Sequence, residues 1–267
     1  MPTVKDVFEY LDSIAPVEMK MGDDNVGFLV GRAGAGVTRI VVSLDITGEV
    51  VQEALELGAE LIVSHHPLFF SRRSVTDEDA TGKILVQMLA GGLSAICMHT
   101  NLDAAEGGVN DALATAAGIS GDCGKAELLS VSGRLPTGEA YSYGRVGRLK
   151  APCPLPKYMR ELKAALKADG LRYHDAGREV CTVAVVGGSG GDEFHNAVLL
   201  GCDTFVTGEM KYHMFLEAKE LGVNLVEGGH FQTENLITDV VACKLRVAFP
   251  EVKVDISQRH TSVVKFF

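Results

Sequence analysis

Two α/β lobes, with mixed, largely parallel sheets and helices packed outside them, are the architecture this 267-residue sequence predicts. Three observations carry that expectation. Short β-branched runs alternate along the chain with segments whose apolar residues fall at helical spacing, the pattern of βαβ units. One strand–helix–strand cassette recurs 143 positions further on without a gap. No low-complexity or linker-like tract divides the chain, and with 46% apolar and 22% charged residues it buries a full core without staples.

The elements follow in order. Val4, Val7, Phe8, Leu11 and Ile14 are spaced for an amphipathic helix, and Lys5, Asp6 and Glu9 within it exclude a secretory signal peptide. A turn cluster at 21–25 leads into the apolar stretch 26–30. A Gly-rich, hairpin-like loop at 31–36 then leads into the run 37–44, which reads as a buried strand. Thr47 caps a helix from about Gly48 to Leu57, stopped at Gly58. Leu61-Ile62-Val63-Ser64 is the next strand, followed by a helix from about Lys83 to Ala90 and a strand from about Leu93 to Met98.

In the recurrence, Ile40-Val41-Val42 aligns with Val183-Ala184-Val185, Leu57-Gly58 with Leu200-Gly201, and Ile62-Val63 with Phe205-Val206. These are generic core types, so an internal repeat and an ordinary likeness of two βαβ units both stand. Between the copies, residues 141–147 alternate like a strand. Pro152, Pro154 and Pro156 make a stiff connector before a helix from Tyr158 to Ala168. The expected lobes are 1–125, to which the C-terminal segment 226–267 returns, and 126–225.

Charge narrows the function. Lys and Arg number 25 against 35 Asp and Glu, so the net charge is −10, the wrong sign for a phosphate-neutralising face; direct nucleic-acid binding is not expected. No apolar run approaches the ~18 residues of a membrane span. Six cysteines lie no closer than 21 residues apart, with no C-x-x-C pair, and the chain reads as cytoplasmic with reduced thiols.

Eight histidines are present, and their placement matters more than their number. His65-His66 closes the strand 61–64, and His99 closes the strand ending near Met98. Both fall at the carboxyl ends of parallel strands, where open α/β sheets place ligands. His230 and Glu234 follow another apolar strand and, at i and i+4, share one face of a helix. Histidine with carboxylate and no thiolate suits Zn, Fe, Mn, Ni or Co. Neighbours on an extended chain point to opposite sides, so His65 and His66 straddle two ions more readily than they grip one. The five candidates His65, His66, Asp103, His230 and Glu234 satisfy two ions only if one carboxylate bridges, which leaves positions for water. Spacing alone puts such a two-ion site only slightly ahead of two unrelated polar caps.

The stretches Ser64-His65-His66-Pro67-Leu68-Phe69-Phe70, His99-Thr100-Asn101-Leu102-Asp103-Ala104-Ala105 and Gly229-His230-Phe231-Gln232-Thr233-Glu234 resemble the three signature motifs of the Nif-three-like family. Its YbgI-like members are often labelled GTP cyclohydrolase I type 2 homologs. Asp24-Asn25-Val26-Gly27, Leu44-Asp45-Ile46-Thr47 and Thr207-Gly208-Glu209-Met210-Lys211-Tyr212-His213 also fit the family pattern. The resemblance implies two divalent ions per chain in a cleft between the lobes. His66 and Asp103 would hold one, His65 and His230 the other, and Glu234 would bridge. It further implies a homohexamer, a trimer of dimers, in the short form that lacks an inserted domain. The implied activity is hydrolytic opening of the imidazole ring of a purine nucleotide; the alternative is a non-enzymatic metal-binding scaffold. His99 and Asp45 match no ligand of the pattern and are expected to orient ligands or shuttle protons beside Glu234.

Other features stay open. The Gly187-Gly188-Ser189-Gly190-Gly191 loop suits an anion contact or a mere tight turn. Arg72, Arg73 and Lys211 meet an anionic substrate or simply solvent, and His213 approaches the site or stays on the surface. His174, His195 and His260 are read as structural.

Overall fold

Leu61–Ser64 is buried at every position and pairs in parallel with Arg39–Ser43 on one side and Ser94–Cys97 on the other. A strand buried on both faces needs cover on both, which is why its residues are uniformly apolar or small. Lys253–Ile256 adds in parallel to Arg39–Ser43, and Gly27–Val30 adds antiparallel to Ser94–Cys97, closing a five-stranded sheet. Val41, Ile62 and Ala95 face one cluster with Val50, Val51 and Ala54 of the helix Gly48–Leu57 and with Leu85 and Met88 of Ala80–Ala90. The structure, a computed structural model, describes residues 1–121 and 124–267. They divide into two units, Met1–Ala105 with Ile237–Thr261, and Glu106–Leu236 with Ser262–Phe267.

The second unit carries a larger sheet with a parallel centre, Val180–Val186, Thr204–Thr207 and Asn224–Glu227, and antiparallel flanks. Arg172–His174 lies outside Asn224–Glu227; Arg145–Cys153 lies against Val180–Val186 and also carries Ile119–Ser120 and Glu127–Leu128. Alternation sorts its faces. Val183 and Val185 join Leu113, Tyr158 and Leu162 on one side, while Ala184 and Val186 join Phe194, Phe205 and Ala218 on the other.

The repeat is one of structure. Ile40 pairs with Leu61 as Val183 pairs with Thr204, each partner 143 residues on, and both connecting helices end on a left-handed glycine, Gly58 at φ +69° and Gly201 at φ +74°. In both copies the third strand, Ser94–Cys97 or Asn224–Glu227, runs into a five-residue helix, Thr100–Ala104 or His230–Glu234.

Several expectations are corrected. The 31–36 loop is no hairpin: Gly27–Val30 and Arg39–Ser43 are separated in the sheet by two strands. Its carbonyls at Ala33 and Ala35 instead accept the free N–H groups of Lys5 and Val4 at the start of the helix Val4–Ile14. The helix expected from Lys83 starts at Ala80, because the Asp79 carboxylate accepts from Gly82 N. The helix expected from Tyr158 runs Leu155–Ala165, with Pro156 tolerated in its first turn, and Pro152 sits within the strand Arg145–Cys153. The 141–147 strand breaks where Ser142 Oγ accepts from Ser130 N and Gly144 N.

The expected lobe bounds move as well. Residues 106–121 belong with the second unit, since Val109–Ala116 packs on its core and Ile119–Ser120 pairs with Arg145–Cys153. So do 226–236, because Asn224–Glu227 is a central strand of that sheet. His230 and Glu234 therefore belong to the second unit, not the first. No helix among the described residues is long and apolar enough to cross a membrane.

Candidate metal centre

In the first unit the in-register pairing of Ser64 with Cys97 brings two strand ends out side by side. His65 N and His66 N donate to Leu44 O, at 3.2 and 2.9 Å, and Met98 N donates to Ser64 O, so the turn is pinned by its neighbours. The chain bends at His65-His66 and does not stay extended. The two rings consequently lie on one side, centroids 4.9 Å apart, with His99 at 5.2 and 5.4 Å from them. One nitrogen from each of the three falls within 4.8 Å of the others. This corrects the premise that neighbouring histidines must diverge. Asp103, on the helix Thr100–Ala104, places Oδ1 3.6 Å from His65 Nε2.

Each ring is held from behind. His65 Nδ1 meets Met98 O at 2.9 Å, His66 Nδ1 meets Asp45 Oδ1 at 2.7 Å, and His99 Nδ1 meets both Asp24 oxygens at 2.9 Å. These acceptors carry no proton, so Nδ1 donates, and in the neutral ring that leaves the lone pair on Nε2. Burial pushes the Asp24 carboxyl up, but hydrogen bonds from His99 and Thr100 outweigh it and bring it down to about 2. Burial likewise raises Asp45, while hydrogen bonds from His260 and His66 hold it far below the usual carboxylate range. Val42, Val63, Met98, Leu102, Ile237 and Val241 close over the inner side of His65, which is only 2% exposed.

The second unit supplies the other set. Gly229, at φ +90°, turns the chain from Asn224–Glu227 into the helix His230–Glu234, a conformation that favours glycine. His230 Nε2 lies 3.1 Å from Glu234 Oε2, and His230 Nδ1 lies 3.4 Å from Glu209 Oε2. The glycine loop packs beneath them. A Cβ on Gly188, at φ +59°, would stand 2.1 Å from Glu234 Oε1 and 3.2 Å from His230 Nε2. Thr233 Oγ1 accepts from Gly188 N, and Asn110 Oδ1 from Gly187 N. The loop is thus a floor for the 4%-exposed Glu234.

The structure gathers His65, His66, His99 and Asp103 in one unit and His230 with Glu234 in the other. Asp45 stands behind His66. Arg72 pairs with Asp79, which accounts for it without a substrate. Three participants escaped the sequence reading. Asp24 and Glu209 lie within recognised motifs but had no assigned role, and His260 was read as structural. The repeat was the available signal for Glu209, since 143 positions separate it from His66.

The chain matches the model of the family described as Duf34/NIF3 (NGG1p interacting factor 3) over residues 2–262. A Clostridium perfringens protein named GTP cyclohydrolase 1 type 2 homolog is 35% identical over 233 residues, 86% of each chain. A Clostridium acetobutylicum protein of the same name is 31% identical over 269 residues, 98% of each. A solved Bacillus cereus protein related to NIF3 shares the fold at a TM-score of 0.92 and 24% identity, covering 100% of this chain and 99% of that one.

Proposed function

This chain belongs to the Duf34/NIF3 family, and on that premise we propose that it is a dinuclear divalent-metal hydrolase acting on a small molecule. The substrate class is a purine nucleotide, as its relatives' label suggests. His66 and Asp103 would hold one ion, His65 and His230 the other, and Glu234 would bridge. The observation that carries the reading is the backing of the three histidines of the first unit. His65, His66 and His99 each keep Nδ1 within hydrogen-bond distance of an oxygen, which favours the tautomer that presents Nε2 to a metal. Nitrogen and carboxylate donors without thiolate fit Zn, Fe, Mn, Ni or Co, and availability decides among them.

When bound, such ions lower the pKa of a water and polarise the bond attacked. The chain's own residues do the rest. Glu234 would supply negative charge to the bound ions, and the Gly188 floor holds it in place. Asp45 orients His66. His99, with Asp24 behind it, offers Nε2 as a proton acceptor or donor to the substrate. A hexamer in the cytoplasm belongs to the same proposal.

A second reading, a metal-binding scaffold for a protein partner, draws on the family description, which names an interacting factor. A metal-replete screen over nucleotide and phosphoester libraries separates the two. Turnover that Glu234→Ala abolishes supports the hydrolase, and no turnover on any substrate, with metal bound, supports the scaffold.

A further inference from the structure

Beyond the ligands themselves, the C-terminal segment 257–260 reaches the back of the histidine turn. The Asp45 carboxylate divides its hydrogen bonds between two histidines, Oδ1 to His66 Nδ1 at 2.7 Å and Oδ2 to His260 Nε2 at 2.8 Å. Asp45 follows the strand Arg39–Ser43, and its side chain is 39% exposed, so packing alone does not fix it. His260, whose side chain is only 9% exposed, holds it from the far side.

What holds His260 is equally specific. Ser257 N donates to Val42 O, continuing the ladder by which Lys253–Ile256 joins the sheet. The chain then turns over the helix Gly48–Leu57. The nearly buried Glu53 of that helix accepts from Ser257 Oγ, from Gln258 N at 2.9 Å and from Arg259 N at 3.4 Å. Ser257 Oγ accepts in turn from His260 N at 3.3 Å, and Arg259 pairs with Glu56 one helical turn on. A carboxylate taken out of water needs such donors. Here they belong to the one turn that presents His260.

We propose that His260 is a positioning residue of the metal site, acting through Asp45 to fix the Nδ1–H tautomer and orientation of His66, with Glu53 as the anchor of the turn that carries it. The metal part rests on the dinuclear reading above; the tautomer part does not. A group two hydrogen bonds from an ion still matters, because an imidazole free to rotate or to exchange its proton between nitrogens loses ligand strength. Loss of a ligand's own partner, here Asp45, costs about 10–100-fold in metal affinity, and loss of the group that holds that partner costs less.

The test uses the full chain with His260→Ala, His260→Gln and Glu53→Gln, and Zn²⁺ as the probe. Nitrogen-15 spectra of the metal-free protein read the His66 tautomer, and Zn²⁺ competition against a chromophoric chelator reads each ion's affinity. In His260→Ala the Nδ1–H population of His66 falls and one ion weakens severalfold, up to about 10-fold, while the other is unchanged. His260→Gln, whose amide still donates to Asp45, restores both readouts, and Glu53→Gln shifts them in the direction of His260→Ala. An unchanged tautomer and affinity in His260→Ala overturns the proposal. So does His260→Gln behaving like the alanine variant, which would mark a packing role. Should the wild-type protein bind no Zn²⁺, the dinuclear reading fails, while the metal-free spectra still decide the positioning role.

Discussion

Gly188→Ala separates the cost of a backbone conformation from the cost of a displaced ligand. The new side chain meets two penalties. The first is conformational: at φ +59° an alanine pays roughly 1–2 kcal/mol for the left-handed region. In a chain of this size that is a fall of about 2–8 °C in Tm. Gly201→Ala pays the same penalty at φ +74°, but its Cβ meets nothing within 4 Å, so it is the control. The second penalty belongs to Gly188 alone. Its Cβ would lie 2.1 Å from Glu234 Oε1 and 3.0 Å from Glu234 Cδ, so the carboxylate must swing off its floor. If Glu234 bridges two cations, that swing removes the charge between them, and affinity falls at least by the 10–100-fold an outer-shell loss costs. Thermal melts in chelator, then with added Zn²⁺ or Mn²⁺, read the two terms. In chelator Gly188→Ala loses at least as much Tm as Gly201→Ala, because the buried carboxylate must move as well. At a metal concentration about 100 times Kd the wild type and Gly201→Ala gain about 2.7 kcal/mol per site, and Gly188→Ala does not. Equal metal-induced gains in the two variants would refute the placement of Glu234 as a ligand on this floor.

Metal counting on single variants tests the unequal roles: Glu234→Ala loses both ions, His65→Ala and His66→Ala weaken one each, and His99→Ala keeps occupancy with an effect of about 10–100-fold on activity or affinity. Retention of both ions by Glu234→Ala would remove the bridge, and loss of metal in His99→Ala would make that histidine a ligand. Asp24 is depressed to about 2 in the folded chain, so its contribution is fully present above its unfolded pKa near 3.8 and is lost as pH falls through 2. Asp24→Asn in metal-free protein is therefore less stable by about 2 kcal/mol at neutral pH, a deficit that closes on acidification; a deficit independent of pH in urea titrations would contradict this. Burial pushes the Cys202 thiol up to about 11 and the Cys97 thiol well above its usual value, whereas Cys243 is exposed. Iodoacetamide at pH 8 should label Cys243 and spare Cys97 and Cys202, as peptide mass spectrometry would report.

The strand ends that carry the histidines were readable because buried parallel strands are unbroken β-branched runs, and a polar residue just past such a run marks its carboxyl end. The Thr47 and Gly58 stops were readable for a local reason: their partners lie within one turn. What escaped depends on distance. Gly27–Val30 looks like any apolar run, and nothing in it names Ser94–Cys97 as partner. Asp79 caps a helix whose first turn, Ala80-Thr81-Gly82, has no periodicity of its own. His260 reaches Asp45 across 215 residues, and Gly188 meets Glu234 only once the loop is folded over it. The bend at His65-His66 was hidden for another reason: it is imposed by Leu44 O accepting both N–H groups, which an isolated strand lacks.

The parallel addition of Lys253–Ile256 to Arg39–Ser43 also sets the order in which the molecule can be finished during synthesis. Ile40 waits for Val254, 214 residues later, whereas the second unit is contiguous from Glu106 to Leu236 and takes only Ser262–Phe267 besides. Long-range pairing is slow, and chains usually complete their N-terminal unit first as they leave the ribosome. Here the first unit cannot close its sheet until most of the second unit has been made. Until residue 256 has emerged, Arg39–Ser43 is a bare edge strand next to the histidine turn, a surface on which nascent chains can pair wrongly. Residues 253–260 both seal that edge and, through the turn on Glu53, bring His260 to Asp45, so closing the sheet and backing the histidine turn are the same event.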